Sequence, residues 1–126
     1  MYTLIGYKPC STCRAIEKNL KNLDLPYQYR EITEDVPSGK ELWQWYQASG
    51  ESSIKRIMNT SGTLYRELNM KSQLAGRSEQ EQLELIAQDG MLIKRPILLT
   101  PSGQVYIGKK VAEFLEEMRQ GEESSS

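Results

Sequence analysis

Residues 2–14, Tyr2-Thr3-Leu4-Ile5-Gly6-Tyr7-Lys8-Pro9-Cys10-Ser11-Thr12-Cys13-Arg14, run from an apolar strand pattern through a turn into the start of a helix. Tyr2 to Tyr7 reads as a strand, and Leu4 and Ile5 suit a position inside a sheet. Lys8-Pro9-Cys10 is the turn. Ser11 to Leu23 then places Ile16, Leu20 and Leu23 at helical spacing, with Glu17, Lys18, Lys21 and Asn22 opposite. After Asp24-Leu25-Pro26, Tyr27 to Ile32 reads as a second strand. The helix is expected to pack on the strand before it.

Cys10 and Cys13 are the only cysteines of the 126 residues. A helix start presents unpaired N–H groups and the positive end of a dipole, which favour a thiolate. Lys8 and Arg14 add positive charge beside them and are candidate substrate-binding residues. The bland alternative is that two small, buriable residues fall together by chance, but the strand-to-helix position favours sulfur chemistry. The chain contains no histidine. Ser-His and Cys-His pairs are therefore excluded, and activation of a thiol must come from cations and backbone dipoles. Two cysteines without histidine also argue against a closed zinc site, which takes four ligands as a rule.

Lys and Arg number 16 against 17 for Asp and Glu, a net charge of −1. Direct nucleic-acid binding is not expected from such a balance, and any anion site must be local. No apolar run approaches the ~18–20 residues needed to cross a bilayer, and no export signal opens the chain. The expected compartment is the cytoplasm. There, a lone cysteine pair is expected to cycle between dithiol and disulfide.

Ser38 with Glu41 and Ser78 with Glu81 have capping-box spacing. The first opens a helix to about Ala48 with Leu42, Trp45 and Tyr46 on its apolar face. The second opens one with Leu83, Ile86 and Ala87 on one side and Gly90 as its stop. Trp43, Trp45 and Tyr46 read as packing residues, because no basic stripe interleaves with them. Ile54 to Met58 and Gly62 to Leu68 read as short helical pieces divided by Asn59-Thr60-Ser61-Gly62. Ile97 to Thr100 and Val105 to Ile107 read as a hairpin. Lys110 to Arg119 reads as a last helix, with Val111, Phe114, Leu115 and Met118 on its apolar stripe. Residues 121–126 have no apolar side chain and are expected to form a disordered tail.

The order βαβ, helical insertion, ββα describes an α/β thioredoxin-like fold with a mixed four-stranded sheet: one domain over residues 1–120, with an all-helical insertion at about 37–90. Cys10-Ser11-Thr12-Cys13-Arg14, residues 59–68 (Asn59 to Leu68) and residues 89–98 (Asp89 to Leu98) together resemble the arsenate reductase-like (ArsC/Spx) family over about residues 2–118. The resemblance implies a nucleophile at Cys10 that attacks an oxyanion or disulfide, no bound cofactor, and glutathione with glutaredoxin, or thioredoxin, as electron donor. It also places an oxyanion-clamping arginine at Arg95, before a cis proline at Pro96. Cys13, absent from most arsenate-reducing members, is the candidate resolving thiol.

Two further arginines of those members fall at Asn59 and Gly108 here. Lys55, Arg56, Lys109 and Lys110 lie near, but lysine is a point charge and not a fork. The Spx branch of the resemblance implies a different class, a redox-sensing regulator that uses the same two-cysteine motif and binds RNA polymerase. This chain has Ser61 and Thr63 where that branch is basic, and a shorter, less basic C-terminal region.

Overall fold

Alternation along the strands sorts the apolar residues onto two faces, because successive strand side chains point to opposite sides. Leu4 and Leu98 join Ile16, Leu20, Val111 and Leu115 in one buried cluster. Ile5 and Ile97 join a larger one with Leu42, Trp45, Leu83 and Ile86. The computed structural model describes residues 1–125.

The elements are β1 (Tyr2–Gly6), α1 (Ser11–Asn22), β2 (Tyr27–Glu31), α2 (Gly39–Ser49), α3 (Thr63–Glu67), α4 (Met70–Leu74), α5 (Glu79–Ile86), β3 (Ile97–Leu99), β4 (Val105–Ile107) and α6 (Lys109–Ser125). Short 3₁₀ turns lie at Ile54–Ile57 and Gly90–Leu92. The sheet order is β2-β1-β3-β4. β1 runs parallel to β2, with Leu4 opposite Tyr29. It runs antiparallel to β3, with Leu4 opposite Leu98, and β3 and β4 form the expected hairpin. The sheet is thus mixed and four-stranded, with α1 and α6 on one face and the helices between β2 and β3 on the other.

Both capping boxes are formed. The Glu41 N–H donates to Ser38 Oγ at 3.1 Å and the Ser38 N–H to Glu41 Oε1 at 3.1 Å. Ser78 and Glu81 repeat the exchange at 3.2 and 3.3 Å. Each cap contributes about 1 kcal/mol. Trp45 is buried and Trp43 half-buried, its ring 5.9 Å from that of Tyr46, as packing residues.

Two expectations are corrected and one element is added. Gly90 does not stop α5, which ends at Ile86. Instead it permits a close approach: a Cβ at Gly90 would lie 2.1 Å from the Ile32 carbonyl oxygen. The helix α4 had no sequence counterpart, because five residues are too few to show a period. At the C-terminus, α6 continues past Arg119 to Ser125, where a tail from residue 121 was expected. A glycine inside a helix costs only about 1 kcal/mol, so Gly121 does not end it. Ser126 lies outside the described residues.

Candidate active site

Cys10 is the N-cap residue of α1, with extended φ −77° and ψ 119°. Its own N–H donates to the Tyr7 carbonyl at 2.9 Å, closing the turn, and its carbonyl accepts from the Arg14 N–H at 3.1 Å. Serine or aspartate at this position would cap the helix with a side-chain oxygen. Cys10 makes no such bond, so the positive end of α1 faces a sulfur.

The two thiols are driven apart. Partial burial pushes the Cys10 thiol up, but the Thr12 and Cys13 N–H groups, the Cys13 thiol and the Arg95 charge together outweigh burial and hold it below its ordinary value. Cys13 is 1% exposed. Burial is the main cause that lifts it to about 12, and the neighbouring Cys10 adds to the rise. Cys10 is thereby the accessible, more acidic sulfur, and Cys13 the sealed, protonated one.

Arg95 reaches this pair from the segment ahead of β3. Its peptide bond to Pro96 is cis. The guanidinium carbon lies 5.0 Å from the centre of the Tyr7 ring, so the turn that carries Cys10 also holds Arg95 by a cation–π contact. Arg95 Nη1 is buried and has no acceptor. A buried donor left unpaired costs about 1–3 kcal/mol, and more when charged. An unpaired guanidinium N–H has the charge and geometry to hydrogen-bond an anion.

Of the sequence-predicted site residues, the structure gathers Cys10, Cys13, Arg95 and Pro96. Lys8 is committed elsewhere: its Nζ lies 3.2 Å from Glu17 and 3.9 Å from the Tyr29 ring centre. Arg14 stands exposed on α1. Glu31, which the sequence did not single out, anchors the turn. Its Oε1 accepts from the Lys8 N–H and the Tyr29 hydroxyl, both at 2.9 Å, and its Oε2 accepts from Thr33 Oγ1 at 3.0 Å. Burial alone would raise the Glu31 carboxyl, but these donors hold it below the usual range. Its only sequence signal is the position at the end of β2.

Asn59 has a structural role. Its N–H donates to the Leu92 carbonyl at 2.8 Å, its Nδ2 to the Met91 carbonyl at 3.1 Å, and its carbonyl accepts from Gly62. With the Met58–Ile93 bridge and the Lys94 N–H donating to Ile57 at 2.9 Å, it ties the insertion to the segment that carries Arg95. Gly108 has no side chain to offer. Its N–H donates to the Pro96 carbonyl at 2.8 Å.

Several known proteins are similar to this chain in sequence or fold. The chain is 46% identical to the uncharacterized protein YusI of Bacillus subtilis, over 90% of this chain and 95% of that one. It is 28% identical to the global transcriptional regulator Spx of Listeria innocua, over 79% of this chain and 73% of that protein. A structure from Bacteroides fragilis described as an ArsC family related protein superposes with a TM-score of 0.79 at 36% identity, covering 90% and 96% of the two chains. The arsenate reductase from Vibrio cholerae superposes with a TM-score of 0.80 at 28% identity, covering 91% and 95%. The architecture is the thioredoxin-like α/β fold of these neighbours. With residues 5–117 matching the family's model, the chain belongs to the ArsC family.

Proposed function

We propose that this protein is a thiol-dependent reductase in which Cys10 attacks a disulfide or an oxyanion such as arsenate, and Cys13 resolves the intermediate. The observation that carries this reading is the buried, unpartnered Arg95 Nη1 beside a cysteine whose thiolate is favoured. With a disulfide, the Cys10 thiolate forms a bond to one sulfur and the other leaves as a thiolate. Cys13 then loses its proton and attacks the Cys10 sulfur, forming the Cys10–Cys13 disulfide and releasing the second thiolate. With arsenate, Cys10 bonds to arsenic with loss of water. Attack of Cys13 on the Cys10 sulfur breaks the sulfur–arsenic bond, and the electron pair stays on arsenic as arsenite. In both routes the protein loses two electrons, which glutathione with glutaredoxin, or thioredoxin, restores.

The 28% identity to Spx supports a second reading, in which the same cysteine pair senses oxidation and the protein docks on RNA polymerase. Reductant-coupled turnover of arsenate and of a disulfide, run beside a pull-down with RNA polymerase, separates the two. Turnover that Cys10→Ser abolishes supports the enzyme. Polymerase capture that changes with cysteine oxidation, without turnover, supports the regulator. In the enzyme, Cys13→Ser accumulates a mixed disulfide on Cys10; unaltered turnover in that variant assigns resolution to an external thiol.

A further inference from the structure

Arg56, Lys94, Lys109 and Lys110 line one surface depression with Glu51 and Gly108, of about 260 Å³. Four cations against one carboxylate is a pronounced local excess on a chain whose net charge is −1. Glu51, with a side chain 7% exposed, pairs with Lys110. Arg56, Lys94 and Lys109 form no ion pair among the described residues.

The depression is tied through the main chain to the segment that carries Arg95. Lys94 directly precedes Arg95, and the Gly108 N–H donates to the Pro96 carbonyl at 2.8 Å. Gly108 has φ +64°, and a Cβ there would meet Lys94 Cε at 3.1 Å, so the bare glycine lets the Lys94 stem lie across it. These cations belong to three separate segments: the 3₁₀ turn at Ile54–Ile57, the run before β3, and the start of α6. Lysine ammonium groups on flexible stems suit several spaced charges better than the bidentate grip on one compact anion that arginine provides. The 260 Å³ is also several times the ~30 Å³ share of one water, more than one small oxyanion fills.

We infer that this depression is a carboxylate subsite, which holds the acidic end of a disulfide whose sulfur reacts at Cys10. The inference rests on Cys10 being the nucleophile. The carboxylates belong either to a small acidic thiol compound or to acidic residues flanking a cysteine in a peptide. The reaction is the exchange already written: Cys10 bonds to one substrate sulfur, the other leaves as thiolate, and Cys13 completes the protein disulfide.

The test compares two chromogenic disulfides, dithiobis(nitrobenzoate), which carries two carboxylates, and dithiodipyridine, which carries none. In the intact protein the doubly charged probe is expected to gain rate relative to its reaction with a free thiol, and the gain should shrink with added salt. The Lys94→Gln, Lys109→Gln double variant is expected to lose about tenfold with the charged probe while its rate with the neutral one is unchanged. Equal loss with both probes, or no loss with either probe together with no discrimination between the Glu and Gln peptides, overturns the subsite. If the neutral probe fails to react at Cys10 in the unaltered protein, the nucleophile reading falls instead. Peptide mixed disulfides with Glu or Gln beside the cysteine form the second arm. Discrimination confined to the peptides assigns the subsite to an acidic protein segment, and discrimination shared with the small probe assigns it to a small acid.

Discussion

The turn at Cys10 and the loop at Asn59 both face the segment before β3, yet they treat their polar groups in opposite ways. Asn59 uses its N–H, its side-chain amide and its carbonyl in bonds to the protein. At the other site the Cys10 sulfur faces the N–H groups that open α1 without forming a regular cap bond, and Arg95 Nη1 is buried without an acceptor. Hydrogen-bonding capacity spent on structure is unavailable for a ligand. Capacity left unspent in a low-dielectric setting is costly and therefore marks chemistry.

The largest effect that would break this contrast is at Cys10. Replacing it with serine should abolish reaction with any disulfide or oxyanion, as seen in single-turnover release of thiolate. Residual release would move the chemistry elsewhere. Arg95 comes next. Arg95→Gln should weaken oxyanion protection of Cys10 against alkylation by about ten- to hundredfold, the equivalent of the ~1.5–3 kcal/mol of a charged hydrogen bond. Arg95→Lys keeps the charge but not the fork, and should fall between the two.

The pH profile sharpens the same point. Because Cys10 is held below an ordinary thiol, its alkylation rate should rise through a midpoint lower than that of an unperturbed cysteine thiol. The sign follows from linkage: the stability the thiolate contributes is present above the unfolded value and is lost as pH falls through the folded one. Arg95→Gln should move the midpoint up, since the charge on Arg95 is one of the groups that lower it.

At Asn59 the expected outcome is of the other kind. Asn59→Ala should cost about 1–3 kcal/mol of unfolding free energy, from the main-chain carbonyl left unpaired, with the alkylation midpoint in place. A shifted midpoint would make Asn59 part of the site after all. Smallest is Glu31→Ala, which removes a carboxylate charge and frees the Lys8 N–H two residues from Cys10, and should lower the midpoint by less than about one unit.

Much of this was legible in the residues. Ile16 and Leu20 mark α1 by their spacing, and both serine–glutamate caps occur where their three-residue interval placed them. Cys10 stood out because it falls where a strand period gives way to a helix period. Arg95 and Pro96 were legible only through family resemblance, since an arginine before a strand has no local signature. Tyr7 and Glu31 escaped notice because their partners are distant in the chain: Glu31 bonds a residue 23 positions away. Gly90 was misread as a helix stop because the Ile32 carbonyl that demands a glycine there belongs to another part of the fold.

By itself the chain's order of residues determined the elements, their buried faces and the supply of reactive atoms, because side-chain period and capping are local properties. Only the tertiary structure decided which cysteine is sealed and which stays open, that Lys8 turns to Glu17, and that Arg95 keeps an unpaired nitrogen beside the sulfur. Burial and hydrogen-bond partners are set by segments far apart in the chain, and those are what shift a pKa or leave a donor without an acceptor.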